Sequence, residues 1–307
     1  MLSLILLKKI VSLYLILIAG AVLVKSGLMK SGESKTLSMI CMYLLAPCSI
    51  LATLRMERTP ELLSGMALSL LGAALIITVD IFLARGLKRP LNLTPEEEIS
   101  ISFPNVGNLV IPLVQAVLGQ DWVVYTLGYI VVQTTLIWTY AKTVLSGNGK
   151  PEWRKILLNP NMIAIAFAVI MFAFDLKFPE IAEDAVSSVA SMVGPAGMLV
   201  TGMIIGGMSL KSVFTDRRVW LVAGLRLLVF PLLALIMLKY LPLSAMNING
   251  ETVLLITLIG ASSPAMSTVT QMASIYDGDR DHACAINVLT TLLCVATMPV
   301  MIYLYQL

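Results

Sequence analysis

Two apolar stretches of the chain have proline and small polar residues at their centres. The first contains Pro104-Asn105 followed by Asn108, and the second contains Ser263-Pro264. Because proline removes a helical hydrogen bond and clashes with the preceding turn, each stretch should break as a helix. A helix that restarts after such a break presents free N–H groups and a partial positive charge at its first turn. These residues therefore indicate a site for an anionic group within a membrane.

The two prolines stand at matched positions relative to a later acidic residue. Pro104 lies 17 residues before Asp121, and Pro264 lies 17 residues before Asp281. Interrupted hydrophobic segments in corresponding places of two halves point to the binding site of a transporter. Kinks that serve only helix packing are the competing interpretation, and the matched spacing argues against it.

The predicted substrate-binding residues are the prolines and the amide and hydroxyl side chains near them. Such groups can donate hydrogen bonds to a carboxylate without supplying a full positive charge. Serine and threonine in a membrane helix can instead bond to their own backbone or to a neighbouring helix. The predicted set is Pro104, Asn105, Asn108, Gln133, Ser263, Pro264, Ser267 and Thr268.

Two ionisable residues, Asp80 and Arg226, fall inside apolar segments. Intramembrane charges are costly and usually pair with each other or line a pathway. One hypothesis is that the two residues form a structural ion pair, and another is that Asp80 takes up a proton during a transport cycle. A third places Asp80 at the membrane surface, beside Arg85 and Lys88.

The composition is that of a protein with many membrane-spanning segments. Of 307 residues, 58% are hydrophobic and only 13% are charged, whereas soluble domains have about 25% charged residues. The small net charge of +3 does not indicate a nucleic-acid partner, and no cofactor is predicted. The four cysteines lie in apolar segments without CxxC spacing and are interpreted as free thiols, so neither a metal site nor a disulfide is expected.

Ten segments are long enough to cross the hydrocarbon core of a membrane, which takes about 20 apolar residues. Proline falls in the second and fourth segment of each group of five. The predicted spans are residues 4–24, 36–54, 62–84, 99–118, 122–145, 156–174, 187–210, 218–238, 252–273 and 283–305.

Lysine and arginine are concentrated in alternate loops. The odd-numbered loops hold fourteen of these residues, and the termini and even-numbered loops hold six. Because cytoplasmic loops carry the excess, both termini are expected outside. Five spans per half would turn the second half upside down relative to the first. The predicted units are a first repeat at residues 1–145, a cytoplasmic linker at 146–155 and a second, inverted repeat at 156–307.

Short motifs along nearly the whole chain resemble those of the auxin efflux carrier family, which includes plant PIN proteins and bacterial organic-acid permeases. The Pro-Asn motif in the fourth span is the most specific of them. In chain order the motifs are Pro104-Asn105, Ile111-Pro112-Leu113, Ala116 to Gly119, Gln133 with Ile137-Trp138, Asn159-Pro160-Asn161, Arg226 with Pro231, and Thr297-Met298-Pro299.

The resemblance implies an all-α membrane protein with ten transmembrane helices in two inverted five-helix repeats. Helices four and nine, broken at their prolines, would cross. Helices one, two, six and seven would form a scaffold in a homodimer, and helices three to five and eight to ten would form a mobile transport unit. The chain lacks the long hydrophilic loop of many plant members, which indicates the short bacterial type. Ala265 follows the second proline, so a polar side chain is absent at that position and the substrate can differ from auxin.

The sequence thus predicts a secondary transporter of a small organic anion, a carboxylate or an auxin-like acid, working by alternating access in the plasma (inner) membrane. No acidic pair near the breaks indicates a sodium site, which favours uniport or proton coupling. A ligand-sensing receptor on a transporter fold, a channel and a sodium-coupled symporter of the bile-acid type are the alternatives. No HExxH or GxSxG motif is present, so an enzyme is not predicted and no catalytic residue is proposed.

Overall fold

Threonine and proline together begin two helices near the predicted site, the one that carries Asp80 and the one that ends before Pro104. The hydroxyl oxygen of Thr59 accepts a hydrogen bond from the amide of Leu62, and Thr94 does the same for the amide of Glu97. In both cases the next residue is a proline, whose fixed φ suits the first helical position and whose missing N–H is not needed there.

The computed structural model describes residues 2–52, 59–106, 110–111, 113–114, 118–147, 154, 157–174, 176, 178–207 and 210–307. Within these ranges the chain is helical between short connections and forms no β-strand. The helices are α1 (Leu2–Lys25), α2 (Ser31–Ala52), α3 (Pro60–Leu91), α4 (Pro95–Ser102), α5 (Asp121–Leu145), α6 (Pro160–Phe174), α7 (Glu180–Gly207), α8 (Leu210–Thr215), α9 (Arg217–Tyr240), α10 (Gly250–Ala261), α11 (Ser267–Ile275) and α12 (Arg280–Gln306).

Six helices in the described part of the chain are long and apolar enough to cross a membrane: α2, α3, α5, α7, α9 and α12. Three further apolar segments are shorter. They are the Tyr14–Lys25 part of α1, the Pro160–Met171 part of α6, and α10 (Gly250–Ala261). Two of the ten predicted spans contain a proline break. In the ninth span the break separates α10 from α11, and in the fourth span α4 ends before Pro104. A broken span is too short to qualify as one helix.

Two helix ends differ from the predicted ones by seven residues. Helix α3 continues to Leu91, beyond the predicted end at residue 84. Asp80 therefore lies about 16 Å from the end of the helix at 1.5 Å per residue. Helix α7 begins at Glu180 and has a turn at Met192, although residue 187 was the predicted start.

Three of the long helices contain a π-helical turn. The turns are Cys41–Leu45 in α2, Ile137–Ala141 in α5 and Leu225–Val229 in α9. A π turn inserts one residue into a helix, interrupts the regular hydrogen-bond ladder and often marks a functional site. All three turns contribute side chains to the region around the two proline breaks.

The helices pack in two groups. In the first, α1 packs along α7, while α6 and the first part of α7 pack against the end of α2. In the second, α3 packs against α4, α5 and α10, and α12 packs against α9 and α11. Helix α11 also contacts α2, so the region of the breaks lies where the two groups meet.

Glycines bring α1 and α7 into close contact. A Cβ atom added at Gly202 would lie 2.0 Å from the carbonyl oxygen of Leu17, and one added at Gly20 would lie 2.6 Å from that of Leu199. Small residues let membrane helices approach to backbone contact. The GxxxG motif formed by Gly202 and Gly206 thus packs against α1 of the same chain.

Candidate functional site

The two proline breaks pair with each other through their backbones. Pro104 and Ala265 form an antiparallel bridge, in which the Asn105 amide donates to the Pro264 carbonyl (2.8 Å) and the Met266 amide donates to the Phe103 carbonyl (3.1 Å). Non-helical backbone at membrane depth must satisfy its polar groups within the protein. We refer to residues 103–105 and 264–266 as the paired breaks.

Arg226 holds the helix ends that lead into the paired breaks. Its guanidinium is fully buried in the π turn of α9. It donates to the carbonyl of Ile101 at 2.8 Å, to that of Ser263 at 3.1 Å and to that of Ala261. These carbonyls lie at the ends of α4 and α10, where a helix has unpaired acceptors and a partial negative charge. One arginine therefore caps both helices.

Asp80 partly balances the buried charge of Arg226. Its Oδ2 atom lies 3.7 Å from Nη1 of Arg226, and only 2% of the residue is exposed. A buried cation without a nearby anion would be costly in this apolar surrounding. The two residues thus lie together inside the helix bundle, and Asp80 is not at an exposed helix end.

Helix α12 anchors the second break. The Ala265 amide donates to Oγ1 of Thr290 at 3.1 Å, and Nδ2 of Asn287 donates to the Ala265 carbonyl at 2.7 Å. Both backbone groups of Ala265 are thereby satisfied by side chains. The sequence signal for this role is that Asn287 and Thr290 are polar residues in a mostly apolar span.

The first turn of α11 lies directly after the second break. Met266, the residue before it, is extended and provides no side-chain cap. The amides of Ser267 and Thr268 therefore begin a helix whose first donors have no acceptor within the helix. Both residues line a cavity.

This cavity has a volume of about 110 Å³ and lies between α2, α5, α7, α11 and the start of α6. Its apolar wall includes Met42, Ile137 and Trp138, which belong to two of the π turns. Apolar walls with a few convergent polar groups are typical of small-molecule sites. The polar lining residues are Ser49, Asn105, Gln133, Thr134, Asn161, Ser267, Thr268 and Gln271.

Two amide side chains connect the cavity wall to the paired breaks and to α2. Nε2 of Gln133 donates to the Pro104 carbonyl at 2.8 Å and approaches the Met266 sulfur at 3.0 Å. Nδ2 of Asn161 donates to the Met42 carbonyl at 2.8 Å and to Oδ1 of Asn159 at 3.1 Å. The Met42 carbonyl belongs to a π turn, and such turns free backbone acceptors for other partners.

The structure brings together most of the residues predicted to bind substrate. Asn105, Gln133, Ser267 and Thr268 line the cavity, and Pro104 and Pro264 lie in the paired breaks beside it. The Ser263 hydroxyl donates to the Ile259 carbonyl of the preceding helix α10, and Ser263 is not part of the cavity wall. The prediction for Asn108 falls outside the described residues. Asn161 and Gln271 line the cavity without having been predicted for it.

A second polar cluster surrounds the start of α4, away from the cavity. Glu97 accepts hydrogen bonds from Arg218 and from the Thr94 amide, and its Oε1 lies 3.0 Å from Nε2 of His282. Burial raises the pKa of the Glu97 carboxyl, but its hydrogen bonds with His282 and Arg218 outweigh burial and hold this pKa at about 2. The ionised carboxylate therefore ties α4 to α9 and α12 at neutral pH.

A family model supplies the comparison that decides the class of protein. The model described as membrane transport protein matches the chain twice, over residues 5–152 and over residues 149–302. The chain belongs to the membrane transport protein family of auxin efflux carriers. Members of this family are transporters, not enzymes, and this one is a membrane protein with several apolar helices. No curated protein matches this membrane transport protein.

Proposed function

We propose that this membrane transport protein is a secondary transporter of a small organic anion and that the cavity beside the paired breaks is its binding site. The anion would be a carboxylate, such as a short dicarboxylate or an auxin-like aromatic acid. Movement of one helix group against the other would expose the cavity to each side of the membrane in turn, by alternating access.

The observation that carries the proposal is the position of the α11 N-terminus in the cavity wall. Its free amides and helix dipole favour a negative charge, and the hydroxyls of Ser267 and Thr268 lie beside them. Asn105 adds an amide from the other half of the chain. No lysine or arginine lines the described part of the cavity, so the anion would be held by dipoles and would be released readily.

The predicted ten-span architecture is part of the proposal. Residues 1–145 and 156–307 would form inverted five-helix repeats around the 146–155 linker, and the two family matches divide the chain at nearly the same place. Two spans would each consist of two half-helices that cross at the paired breaks. Helices α1, α2, α6 and α7, which pack together, would be the scaffold.

Location, assembly and coupling complete the proposal. The lysine and arginine distribution supports an inner-membrane protein with both termini outside, surrounded by lipid and paired with a second copy of the chain. We favour uniport or proton coupling over sodium coupling.

Uptake into proteoliposomes tests the proposal directly. Vesicles preloaded with an unlabelled organic acid should accumulate the labelled acid by exchange, whereas a receptor would bind it without any accumulation. A channel would let the label equilibrate without exchange-driven accumulation. Uptake that requires a sodium gradient would favour the sodium-coupled symporter. If no acid of an aromatic and dicarboxylic panel enters the vesicles, the proposal of an organic-anion carrier is wrong.

Cross-linking tests whether the two helix groups move. Ser49 on α2 and Thr268 on α11 both line the cavity, one from each group. In a variant without the native cysteines, Ser49→Cys together with Thr268→Cys should lose uptake when a short reducible bifunctional reagent joins them and regain it on reduction. Full uptake in the cross-linked protein would contradict alternating access.

A further inference from the structure

The start of α2 meets the connection between α11 and α12 at one surface of the protein. Nζ of Lys35 lies 2.9 Å from Oδ1 of Asp277. Nη1 and Nη2 of Arg280 lie 3.4 Å from the carbonyl oxygen and from Oγ of Ser31. Because α2 belongs to the first helix group and α11 and α12 to the second, these polar contacts join the two groups. We refer to Ser31, Lys35, Asp277 and Arg280 as the bridging residues.

The bridging residues lie beyond one end of the cavity. Among the residues that line the cavity, Cys41 on α2 and Gln271 on α11 are closest to them in sequence. Lys35 precedes Cys41 and Asp277 follows Gln271 by the same number of residues, which corresponds to about 9 Å along a helix. Less than two turns of α2 and α11 therefore separate the cavity from this surface.

Buried side chains fill the interval between the cavity and the bridging residues. Ser34 and Ser38 on α2 and Met272 on α11 are inaccessible to solvent, and the two helices pack against each other here. Each of the two serine hydroxyls donates to a carbonyl of its own helix, so it would keep its partner if the helices separated. The cavity is thus closed on this side by a contact between the two helix groups that leaves these hydroxyls paired when it opens.

Asp277 occupies a backbone position that usually belongs to glycine. Its φ is +57°, in the left-handed region that glycine adopts most readily at the end of a helix. The Gly278 amide donates to the Ala273 carbonyl at 2.8 Å, as in the Schellman motif that ends many helices. Glycine at position 277 would make the same turn without a carboxylate. The chain therefore places a carboxylate beside Lys35 at a cost in backbone energy.

Glu96 ties the same connection to α4, which leads into the first break. Its Oε1 accepts a hydrogen bond from the Asp279 amide at 3.1 Å, and only 6% of the residue is exposed. A Cβ atom added at Gly278 would lie 2.5 Å from this oxygen, so the close approach depends on glycine. A movement of the second helix group would therefore carry α4 and the bridging residues of the α11–α12 connection together.

The contact between the bridging residues is weak enough to break in a transport cycle. The side chains of Lys35 and Asp277 are 42% and 87% exposed, and the contacts of Arg280 with Ser31 are long. Water screens an exposed ion pair, which changes an equilibrium constant only about two- to fivefold. Such a pair adds little to folding, but it biases two conformations of similar free energy.

We propose that the bridging residues form a latch that holds the cavity closed on this face and opens when the two helix groups separate there. The latch rests on the alternating access of the proposed function and adds the contacts that bias its equilibrium. In the proposed topology this face is the cytoplasmic one. The latch would therefore favour the state that is closed toward the cytoplasm.

Labelling of a thiol in the cavity measures how often this face opens. In a variant without the native cysteines, Gln271→Cys places the thiol in the cavity wall towards the latch. A membrane-impermeant maleimide is added to right-side-out and to inside-out membrane vesicles. Gly32→Cys identifies the preparation in which the latch meets the reagent, because Gly32 is exposed and a Cβ atom there contacts nothing within 4 Å.

Breaking the ion pair should speed labelling from the latch face. Lys35→Met and Asp277→Gly should each raise the rate about two- to fivefold, and the double variant should match either single variant because one substitution already breaks the pair. Lys25→Met is the matched control, since Lys25 is an exposed lysine at the end of α1, and it should leave the rate unchanged. The melting temperature of Asp277→Gly should not fall, because glycine fits the left-handed backbone.

The outcomes separate the latch from the proposed function. Equal labelling rates in all the proteins, effects that multiply in the double variant, or a cavity thiol that is never labelled from this face would each overturn the latch. Uptake that is lost on joining Ser49→Cys to Thr268→Cys, with labelling rates unchanged by the latch variants, would leave alternating access standing without the latch. Labelling that rises as predicted in a protein that accumulates no acid of the panel would retain the latch and remove the organic anion.

Discussion

The two sides of the paired breaks differ in the charge of their polar groups. On the Arg226 side, a full charge is buried, and its guanidinium donates to three carbonyls at the ends of α4 and α10. On the cavity side, the polar groups that line the described part of the cavity are uncharged. The comparison indicates a structural role for the buried charge, whereas in the proposed function the neutral groups bind the ligand.

This division suits a carrier. A fully charged side chain in a low-dielectric cavity would hold an anion tightly, because Coulomb attraction is weakly screened there. Transport needs binding that is favourable enough for entry and weak enough for release. Helix dipoles, hydroxyls and amides provide such modest attraction, while Arg226 stabilises the broken helices from the opposite side.

The largest expected effect comes from removing the charge on the Arg226 side. Arg226→Met leaves three carbonyls without a donor and Asp80 without its cation, so the free energy of unfolding should fall by about 3–5 kcal/mol. Thermal denaturation in detergent micelles measures the change. A melting temperature equal to that of the wild type would show that the arginine does not hold the helix ends.

The double variant Asp80→Asn with Arg226→Met is the control for the charge itself. It removes the uncompensated carboxylate but still leaves the carbonyls of Ile101, Ala261 and Ser263 without the guanidinium. It should therefore recover part of the lost stability and not all of it. Full recovery would assign the whole effect to the ion pair and none to the capping of the helices.

A smaller effect is expected where α12 anchors the second break. Asn287→Leu leaves the Ala265 carbonyl without its donor, which should cost about 1–3 kcal/mol of stability. Because α11 starts two residues later, acid binding should weaken as well. Thr297→Val on the same helix is the control, since its hydroxyl donates to its own helix at Leu293. Equal losses of stability in both variants would contradict a specific role of Asn287 in anchoring the second break.

The smallest effect is expected in the pH dependence of uptake when Asp80 is replaced. Asp80 lies beside Arg226 and does not line the cavity, so we expect it to have a structural role without proton uptake in the cycle. Asp80→Asn should reduce the amount of stable protein and leave the shape of the pH profile of uptake unchanged. A profile that becomes flat would assign proton coupling to Asp80.

Local patterns predicted the parts of the molecule that depend on local chemistry. Proline placed the two breaks, and the polar residues beside Pro104 and Pro264 indicated Asn105, Ser267 and Thr268, which line the cavity. Apolar runs predicted the positions of most of the helices. Ten membrane spans were expected, and the described residues form six helices that are long and apolar enough to cross a membrane.

Contacts between distant segments could not be predicted in this way. Nothing in the periodicity around Arg226 shows that its guanidinium reaches carbonyls of two other helices. Asn161 stands out in the sequence only as part of the Asn159-Pro160-Asn161 motif, because its side chain contacts the Met42 carbonyl, 119 positions away. The π turns likewise have no local sequence signal as clear as proline.

The most direct test of the account is a thermal-shift titration of organic acids with wild-type protein, Asn105→Ala and Asn249→Ala. Asn105 lines the cavity, whereas Asn249 is an exposed amide at the start of α10. We predict that an acid raises the melting temperature of the wild type and of Asn249→Ala in proportion to the logarithm of its concentration, and that Asn105→Ala loses this shift. An equal shift in all three proteins would contradict the placement of the anion site beside the paired breaks.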